Sequence, residues 1–146
     1  MTTNNIVHVT RQFNCSKPAL YRWIVEPNLI SKWFGPKHCK VGNVHNNFRT
    51  GGGYEIELLK PNSKRFSIKG IYLEIDQPNW LKFSFVYIGL ETTPPKSTVT
   101  ISLEEISPNS TQLTLIQKFE TRPPDMENRT KAWGNMFETL FDEINS

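Results

Sequence analysis

Apolar and polar residues alternate along most of the chain, and two segments with helical spacing interrupt the pattern early. The stretch at 5–13 alternates, which predicts a first strand. Ser16 can cap a short helix directly after it. A second short helix is predicted over 28–34, and Gly35 and Pro36 end it.

From residue 54 onward the period is two, which is typical of antiparallel strands that bury one face. We expect about six strands in this region, so that the whole sheet has about seven. The alternating segments lie at 54–58, 66–75, 81–87, 99–103 and 113–119. Within the second of these the apolar phase changes at Gly70, where a bulge or sharp bend is expected.

The last segment predicts a long amphipathic helix. Asp125 is a plausible N-cap after the sequence TRPPD. Apolar residues then recur at helical spacing over roughly five turns and predict a face that packs on the sheet. The order of elements therefore predicts an α+β fold, in which helices cover one face of a curved antiparallel sheet.

Composition and charge narrow the class of protein. The chain has 146 residues, 37% of them hydrophobic and 21% charged, and it is expected to form a single domain over 1–146. The net charge of +3 comes without a long basic run, so no nucleic acid is expected as a partner. No secretory leader or membrane-length apolar stretch is recognised, and Cys15 and Cys39 are interpreted as free thiols, which favours a cytoplasmic location.

The segment FRTGGGYEIEL at 48–58 contains three consecutive glycines, as phosphate-binding loops often do. A P-loop requires a lysine followed by serine or threonine after its glycines, and a dinucleotide fingerprint requires a helix there. Here an alternating strand pattern follows. We therefore interpret the glycines as a turn that leads into a strand, with Tyr54 as its first inward side chain.

Metal binding and covalent catalysis are weakly indicated. His38 and Cys39 are adjacent, so on a strand they point to opposite faces, and with His45 they do not make a four-ligand zinc pattern. Neither cysteine has a base at a recognisable spacing. No metal, cofactor or catalytic residue is predicted.

Four stretches together resemble the Activator of Hsp90 ATPase homologue 1-like (AHSA1) family of the START/Bet v 1-like (SRPBCC) superfamily. They are VTRQFNCSKPALYRWIVEPNLISKWFGP, FRTGGGYEI, GIYLEIDQPNWLKFSF and STVTISLEEISPNSTQLTLIQKF. The resemblance spans essentially the whole chain. Two positions depart from the family pattern: Ala132 precedes Trp133 where glycine is usual, and Gln117 stands where many members have histidine.

The resemblance implies a helix-grip fold, with a cavity between the curved sheet and the C-terminal helix that commonly admits lipids, sterols or other apolar molecules. For most of the aromatic rings a filled core is the alternative. We predict that the cavity is lined by Trp33, Phe34, Tyr54, Phe66, Phe83, Phe85, Tyr87, Gln117, Trp133 and Phe137. Arg49 is predicted as a polar group at its mouth.

The leading hypothesis is a non-catalytic binding domain for an apolar or amphipathic small molecule. A co-chaperone type of protein-interaction module related to Hsp90 is the alternative, and the resemblance also leaves a cyclase- or hydrolase-like enzyme open. The enzyme requires ionisable residues within the cavity. An exposed edge strand can pair with another copy, so the protein is expected to be a monomer or a homodimer.

Overall fold

The computed structural model describes residues 5–146 and contains seven strands and three helices. In chain order the elements are β1 (Ile6–Phe13), α1 (Lys17–Val25), α2 (Pro27–Ile30), β2 (Lys40–Asn46), β3 (Gly53–Leu59), β4 (Arg65–Asp76), β5 (Trp80–Ile88), β6 (Ser97–Ser107), β7 (Ser110–Phe119) and α3 (Met126–Ile144). No helix within this part of the chain has both the length and the apolar character needed to cross a membrane.

The strands form one antiparallel sheet in the order β1-β7-β6-β5-β4-β3-β2. Only β1 is out of sequence order, and it pairs with β7 from Ile6 opposite Lys118 to Phe13 opposite Thr111. The sheet is open and curved, and α3 lies along its inner face. The α+β helix-grip architecture predicted from the sequence is confirmed.

The two short helices differ in how well the sequence predicted them. Ser16 caps α1, since its Oγ accepts a hydrogen bond from the backbone N–H of Ala19 at 3.3 Å. The second helix ends at Ile30, earlier than predicted. A hydrogen-bonded turn continues to Phe34, whose N–H donates to the carbonyl of Ile30 at 3.0 Å.

The change of phase in β4 occurs later than predicted. Ile71 and Leu73 are 49% and 43% exposed, so they lie on the outer face, while Tyr72 is buried. The even-numbered residues thus remain inward past Gly70, and the pairing with β5 shifts only between Tyr72 and Glu74. The predicted flip at Gly70 is therefore wrong.

Gly70 has another structural role, since it allows the backbones of β4 and β5 to approach each other closely. A Cβ atom at this position would lie 1.8 Å from the carbonyl oxygen of Ser84. Tyr54 lies opposite Gly70 on β3, and its hydroxyl donates to that same carbonyl at 2.7 Å. The missing side chain leaves space that the aromatic ring of the neighbouring strand can cover.

The inward side of α3 is apolar, as its spacing predicted. Its buried residues are Met126, Trp133, Met136, Phe137 and Leu140. Asp125 occupies the N-cap position, but its carboxylate makes no capping hydrogen bond and instead pairs with Arg129. Near the other end, Arg11 of β1 lies 2.8 Å from Glu138 and stacks over Phe141 at 4.6 Å.

Candidate functional site

Two hollow regions lie between the sheet and the helices, and aromatic rings almost fill the first. We call this region the inner cluster and define it by Trp33, Phe34, Tyr54, Phe83, Phe85 and Trp133. Neighbouring rings pack at centroid distances from 5.5 Å for Tyr54–Phe83 to 6.2 Å for Phe34–Trp133. The remaining cavity has a volume of about 40 Å³.

That volume has a direct consequence for ligand binding. A cavity needs about 10–15 Å³ to hold one water molecule, so the inner cluster has space for a few waters at most. Pockets that bind small organic molecules occupy about 300–1,000 Å³. The inner cluster is therefore a packed core with a small void beside it.

A chain of hydrogen bonds crosses the back of the inner cluster. The indole N–H of Trp133 donates to Oε1 of Gln117 at 2.8 Å, and Nε2 of Gln117 donates to Oγ of Ser97 at 2.8 Å. The Ser97 hydroxyl in turn donates to the carbonyl of Phe85 at 3.2 Å. Gln117 is only 1% exposed, and these hydrogen bonds offset the free-energy cost of burying its amide group.

The opposite end of the inner cluster holds two tyrosines and an asparagine. Burial is the main cause that raises the pKa values of Tyr54 and Tyr72, so both hydroxyls are neutral at ordinary pH. Asn46 donates through Nδ2 to the carbonyl of Val25, while its Oδ1 is buried without a hydrogen-bond partner. The void beside Asn46 can admit a water that donates to this oxygen.

The second hollow region, which we call the outer groove, lies between α3, the segment that follows α2, and strands β3 to β5. Its volume is about 660 Å³, well within the range of small-molecule pockets. The apolar lining consists of Phe34, Gly35, Pro36, Leu58, Phe66, Ile68, Phe85, Tyr87, Leu90, Ala132 and Met136. The polar and charged lining consists of Lys37, His38, Asn128, Arg129, Lys131 and Asn135.

Arg129 is a cation of the outer groove that is held by two neighbouring side chains, Asp125 and Tyr87. Its Nη2 and Nε atoms lie 3.1 and 3.2 Å from the two carboxylate oxygens of Asp125. The guanidinium stacks over the ring of Tyr87 at 5.1 Å, and its side chain is 20% exposed. Burial raises the pKa of Tyr87, an effect that the nearby Arg129 opposes, and the phenol therefore remains neutral.

The structure divides the predicted site residues among different places. Trp33, Tyr54, Phe83 and Trp133 line the inner void; Phe66 and Tyr87 line the outer groove; Phe34 and Phe85 contribute to both. Gln117 and Phe137 line neither and instead support Trp133, the former by its hydrogen bond and the latter by ring packing at 5.7 Å. Arg49 is exposed in the loop before β3 and lines neither region.

Sequence reasoning missed the aliphatic and cationic residues of the outer groove. Arg129, Ala132 and Met136 follow i, i+3, i+7 spacing beside the main apolar face of α3. This spacing is the feature of the sequence from which these lining residues could have been predicted. Lys37 and His38 carried no such signal. They reach the groove because the chain turns sharply at Gly35, whose φ is +92°.

The glycines at 51–53 lie at a turn, and the amides of Gly51 and Gly52 are hydrogen-bonded within the chain. The N–H of Gly51, at φ +84°, donates to the carbonyl of Tyr72 at 2.8 Å. The N–H of Gly52 donates to the carbonyl of Arg49, also at 2.8 Å. A phosphate cradle needs such amides unpaired, so the segment acts as the bend into β3.

The nucleophilic and metal-binding groups show no catalytic arrangement within residues 5–146. Cys15 and Cys39 are unpaired and half-buried, and burial is the main cause that raises the pKa of each thiol. Neither lines the inner void or the outer groove. Across the same residues, no three His, Cys, Asp or Glu side chains form a group suited to a metal ion.

Comparison with known proteins places this helix-grip chain in a defined class, the START/Bet v 1-like (SRPBCC) proteins, whose fold is a ligand-binding fold. The model of one family, "Activator of Hsp90 ATPase homolog 1-like protein" (AHSA1), matches residues 14–144. The chain therefore belongs to the AHSA1 family. Comparison with curated proteins gives no significant match.

Solved structures agree on the fold. A protein from Chromobacterium violaceum is 22% identical with a TM-score of 0.83, and the match covers 98% of this chain and 99% of that one. The AHSA1 protein from Silicibacter pomeroyi is 17% identical with a TM-score of 0.83, over 96% of this chain and 97% of that one. DynU16, from the dynemicin biosynthetic locus, is 16% identical with a TM-score of 0.77; 98% of this chain matches 48% of DynU16.

Proposed function

We propose that this chain acts as one AHSA1/START-like domain, with no catalytic step of its own, and binds an apolar or amphipathic small molecule in the outer groove. The observation that carries the proposal is the contrast in volume, about 660 Å³ in the groove against about 40 Å³ in the inner cluster. Of these two regions between the sheet and the helices, the groove is the one with the size of a ligand pocket.

The lining of the groove supports a small molecule with a large apolar part. Leu58, Ile68 and Met136 provide an aliphatic floor, and the ring of Phe66 extends it. Removing an apolar ligand from water against such a surface is favourable in proportion to the area that both partners bury.

The chemistry of the groove favours binding over catalysis. Among the described residues that line it there is no Asp, Glu, Cys, Ser or Thr, so the lining has no carboxylate base and no Ser, Thr or Cys nucleophile. The ionisable groups present are Lys37, His38, Tyr87, Arg129 and Lys131, and three of these five are lysine or arginine. This set can orient a ligand.

Calorimetric titration with dodecanol tests the proposal. The wild-type protein should bind one molecule. Ala132→Trp fills the groove with an indole and should weaken binding at least about tenfold, since a blocked apolar contact is worth more than about 1.4 kcal/mol. Thr130→Trp introduces the same ring on α3 outside the groove and should bind as the wild type does.

Two results would overturn the proposal. One is the absence of dodecanol binding to the wild type, and the other is equal binding by the Ala132→Trp and Thr130→Trp proteins. Binding of recombinant Hsp90 in a pull-down that Ala132→Trp does not reduce, without uptake of any amphiphile, would favour the protein-interaction alternative.

A further inference from the structure

The outer groove carries an excess of positive charge along one side. Lys37, Arg129 and Lys131 are cations that line it, and His38 adds a titratable imidazole. Among residues 5–146, the only acidic group in contact with any of these four is Asp125, which pairs with Arg129 and is not itself part of the lining. Within the described lining the formal charge is therefore +3, with the histidine neutral.

The cations and the apolar floor occupy different parts of the lining. The cations come from the segment after α2 and from the first turns of α3. The aliphatic floor is formed by Leu58 of β3, Ile68 of β4 and Met136, which lies two turns beyond Arg129 on α3. A molecule that matches both must have a charged end and an apolar body.

Arg129 is positioned for recognition of an anion. Asp125 and the ring of Tyr87 fix its guanidinium, so little further conformational entropy is lost when it binds a ligand. Asp125 engages Nε and Nη2, and the hydroxyl of Tyr87 is hydrogen-bonded to the same side chain. A guanidinium has five N–H donors, so donors remain for a further acceptor. The neutral hydroxyl of Tyr87 provides an additional hydrogen-bonding group beside it.

We propose that the ligand of the outer groove is a monomeric amphipathic anion, with a carboxylate or similar head at Arg129, Lys37 and Lys131 and an apolar body on the floor. This inference rests on the proposed function and adds the charge of the ligand. A charge-assisted hydrogen bond is roughly twice as strong as a neutral one, and bidentate contact with arginine selects planar anions.

The test uses three probes that share one tail and differ in head charge: dodecanoate, dodecanol and dodecyltrimethylammonium. They are titrated calorimetrically into the full chain as monomers. Dodecanoate should bind at least about tenfold more tightly than dodecanol, and the ammonium compound should bind most weakly. Equal affinities for dodecanoate and dodecanol would overturn the inference while the proposed function stands; failure of all three to bind would overturn the proposed function itself.

Variants identify the residues that recognise the head. Arg129→Gln should reduce the preference for dodecanoate over dodecanol about tenfold. Lys118→Gln removes an exposed cation of β7 that is outside the groove, and it should preserve the preference. An unchanged preference in the Arg129→Gln protein would contradict the assignment of the head to Arg129.

Vesicles distinguish a free molecule from a membrane surface. Vesicles of phosphatidylglycerol present anionic heads whose tails remain in the bilayer. The proposal expects dodecanoate to bind the protein in solution and the vesicles to be retained no better by wild type than by Arg129→Gln. Retention on vesicles without any binding of dodecanoate would overturn the proposal in favour of a lipid-surface interaction.

Discussion

The inner cluster and the outer groove are lined by the same sheet and the same helix, yet one is filled and the other is open. They share Phe34 and Phe85, so the difference arises in the residues around them. The inner cluster adds large rings from β3, β5, α3 and the turn after α2, which interlock and leave about 40 Å³. The outer groove adds mainly aliphatic and cationic side chains from chain segments that stay apart, and about 660 Å³ remains.

This contrast shows where ligand-binding capacity lies in such a molecule. A high content of aromatic residues suggests a cavity, but the rings of this chain mostly pack against one another and stabilise the core. The space is found where α3 faces smaller residues. Changes to the inner cluster should therefore alter stability, and changes to the groove should alter binding.

The largest effect on stability is expected for Trp133→Ala. It removes a buried ring that contacts Phe34, Phe85 and Phe137, and it leaves the Oε1 atom of Gln117 without its donor. We expect the free energy of unfolding to fall by about 3–5 kcal/mol, measured by urea denaturation. Trp23→Ala, at a half-buried position of α1, should lower the free energy of unfolding clearly less. An equal loss in the two variants would contradict the role of Trp133 as a central ring of the packed core.

Gln117→Leu should give the next largest loss. The substitution leaves the indole N–H of Trp133 buried without an acceptor, which costs about 1–3 kcal/mol. Gln112→Leu on the same strand serves as a control, because that side chain is only half-buried and should change stability by less than about 0.5 kcal/mol. Denaturation curves that show the two leucine variants equally stable would contradict the role of the buried hydrogen-bond chain.

Alkaline pH should destabilise the fold through its tyrosines. Burial raises the pKa of Tyr21 to about 12 and raises that of Tyr54 as well. Above the unfolded pKa of about 10 the unfolded chain releases protons that the folded chain retains, so stability falls as pH rises. For a fully buried tyrosine the slope is about 1.4 kcal/mol per pH unit.

The same alkaline titration compares the two regions. Tyr54→Phe should reduce the slope more than Tyr87→Phe, because Tyr54 lies in the inner cluster while Arg129 partly offsets the effect of burial on Tyr87. Urea midpoints measured at several pH values between about 9 and 11 provide the slopes. A larger effect from Tyr87→Phe would show that the groove is the less polar of the two environments.

The smallest expected effect is a gain. Gly134 lies within α3, an added Cβ meets nothing within 4 Å, and the residue lines neither region. Gly134→Ala should stabilise the protein by about 0.5–1 kcal/mol through helix propensity and leave amphiphile binding unchanged. Thermal denaturation measures the gain in stability, and calorimetric titration measures amphiphile binding. A loss of binding would show that the groove includes the Gly134 side of α3.

The sequence predicted the fold well because periodicity reports which side of each element is buried. Alternation in β5 and β7 and the helical spacing in α3 all correspond to buried faces in the structure. Gly70 shows the limit of this reasoning, since exposed Ile71 and Leu73 mimicked a change of phase. Hydrophobicity alone does not distinguish an outward isoleucine from an inward one.

The site was less predictable for a physical reason. Periodicity places Tyr54, Phe83 and Trp133 on inward faces, but it does not state whether inward side chains touch or leave a space. That outcome depends on volumes contributed by elements far apart in sequence. Arg129 was equally hidden, because its importance comes from Tyr87, forty-two positions earlier in the chain, and from Asp125 one turn before it.

The most direct test of the account compares isoleucine methyl groups by NMR during titration with dodecanoate. Ile68 lines the outer groove, whereas Ile24 and Ile101 line the inner void. The account predicts that the Ile68 methyl signals shift and saturate with one bound molecule, while those of Ile24 and Ile101 stay in place. Saturable shifts at Ile24 and Ile101 with none at Ile68 would show that the ligand enters the inner cluster, and would contradict the account.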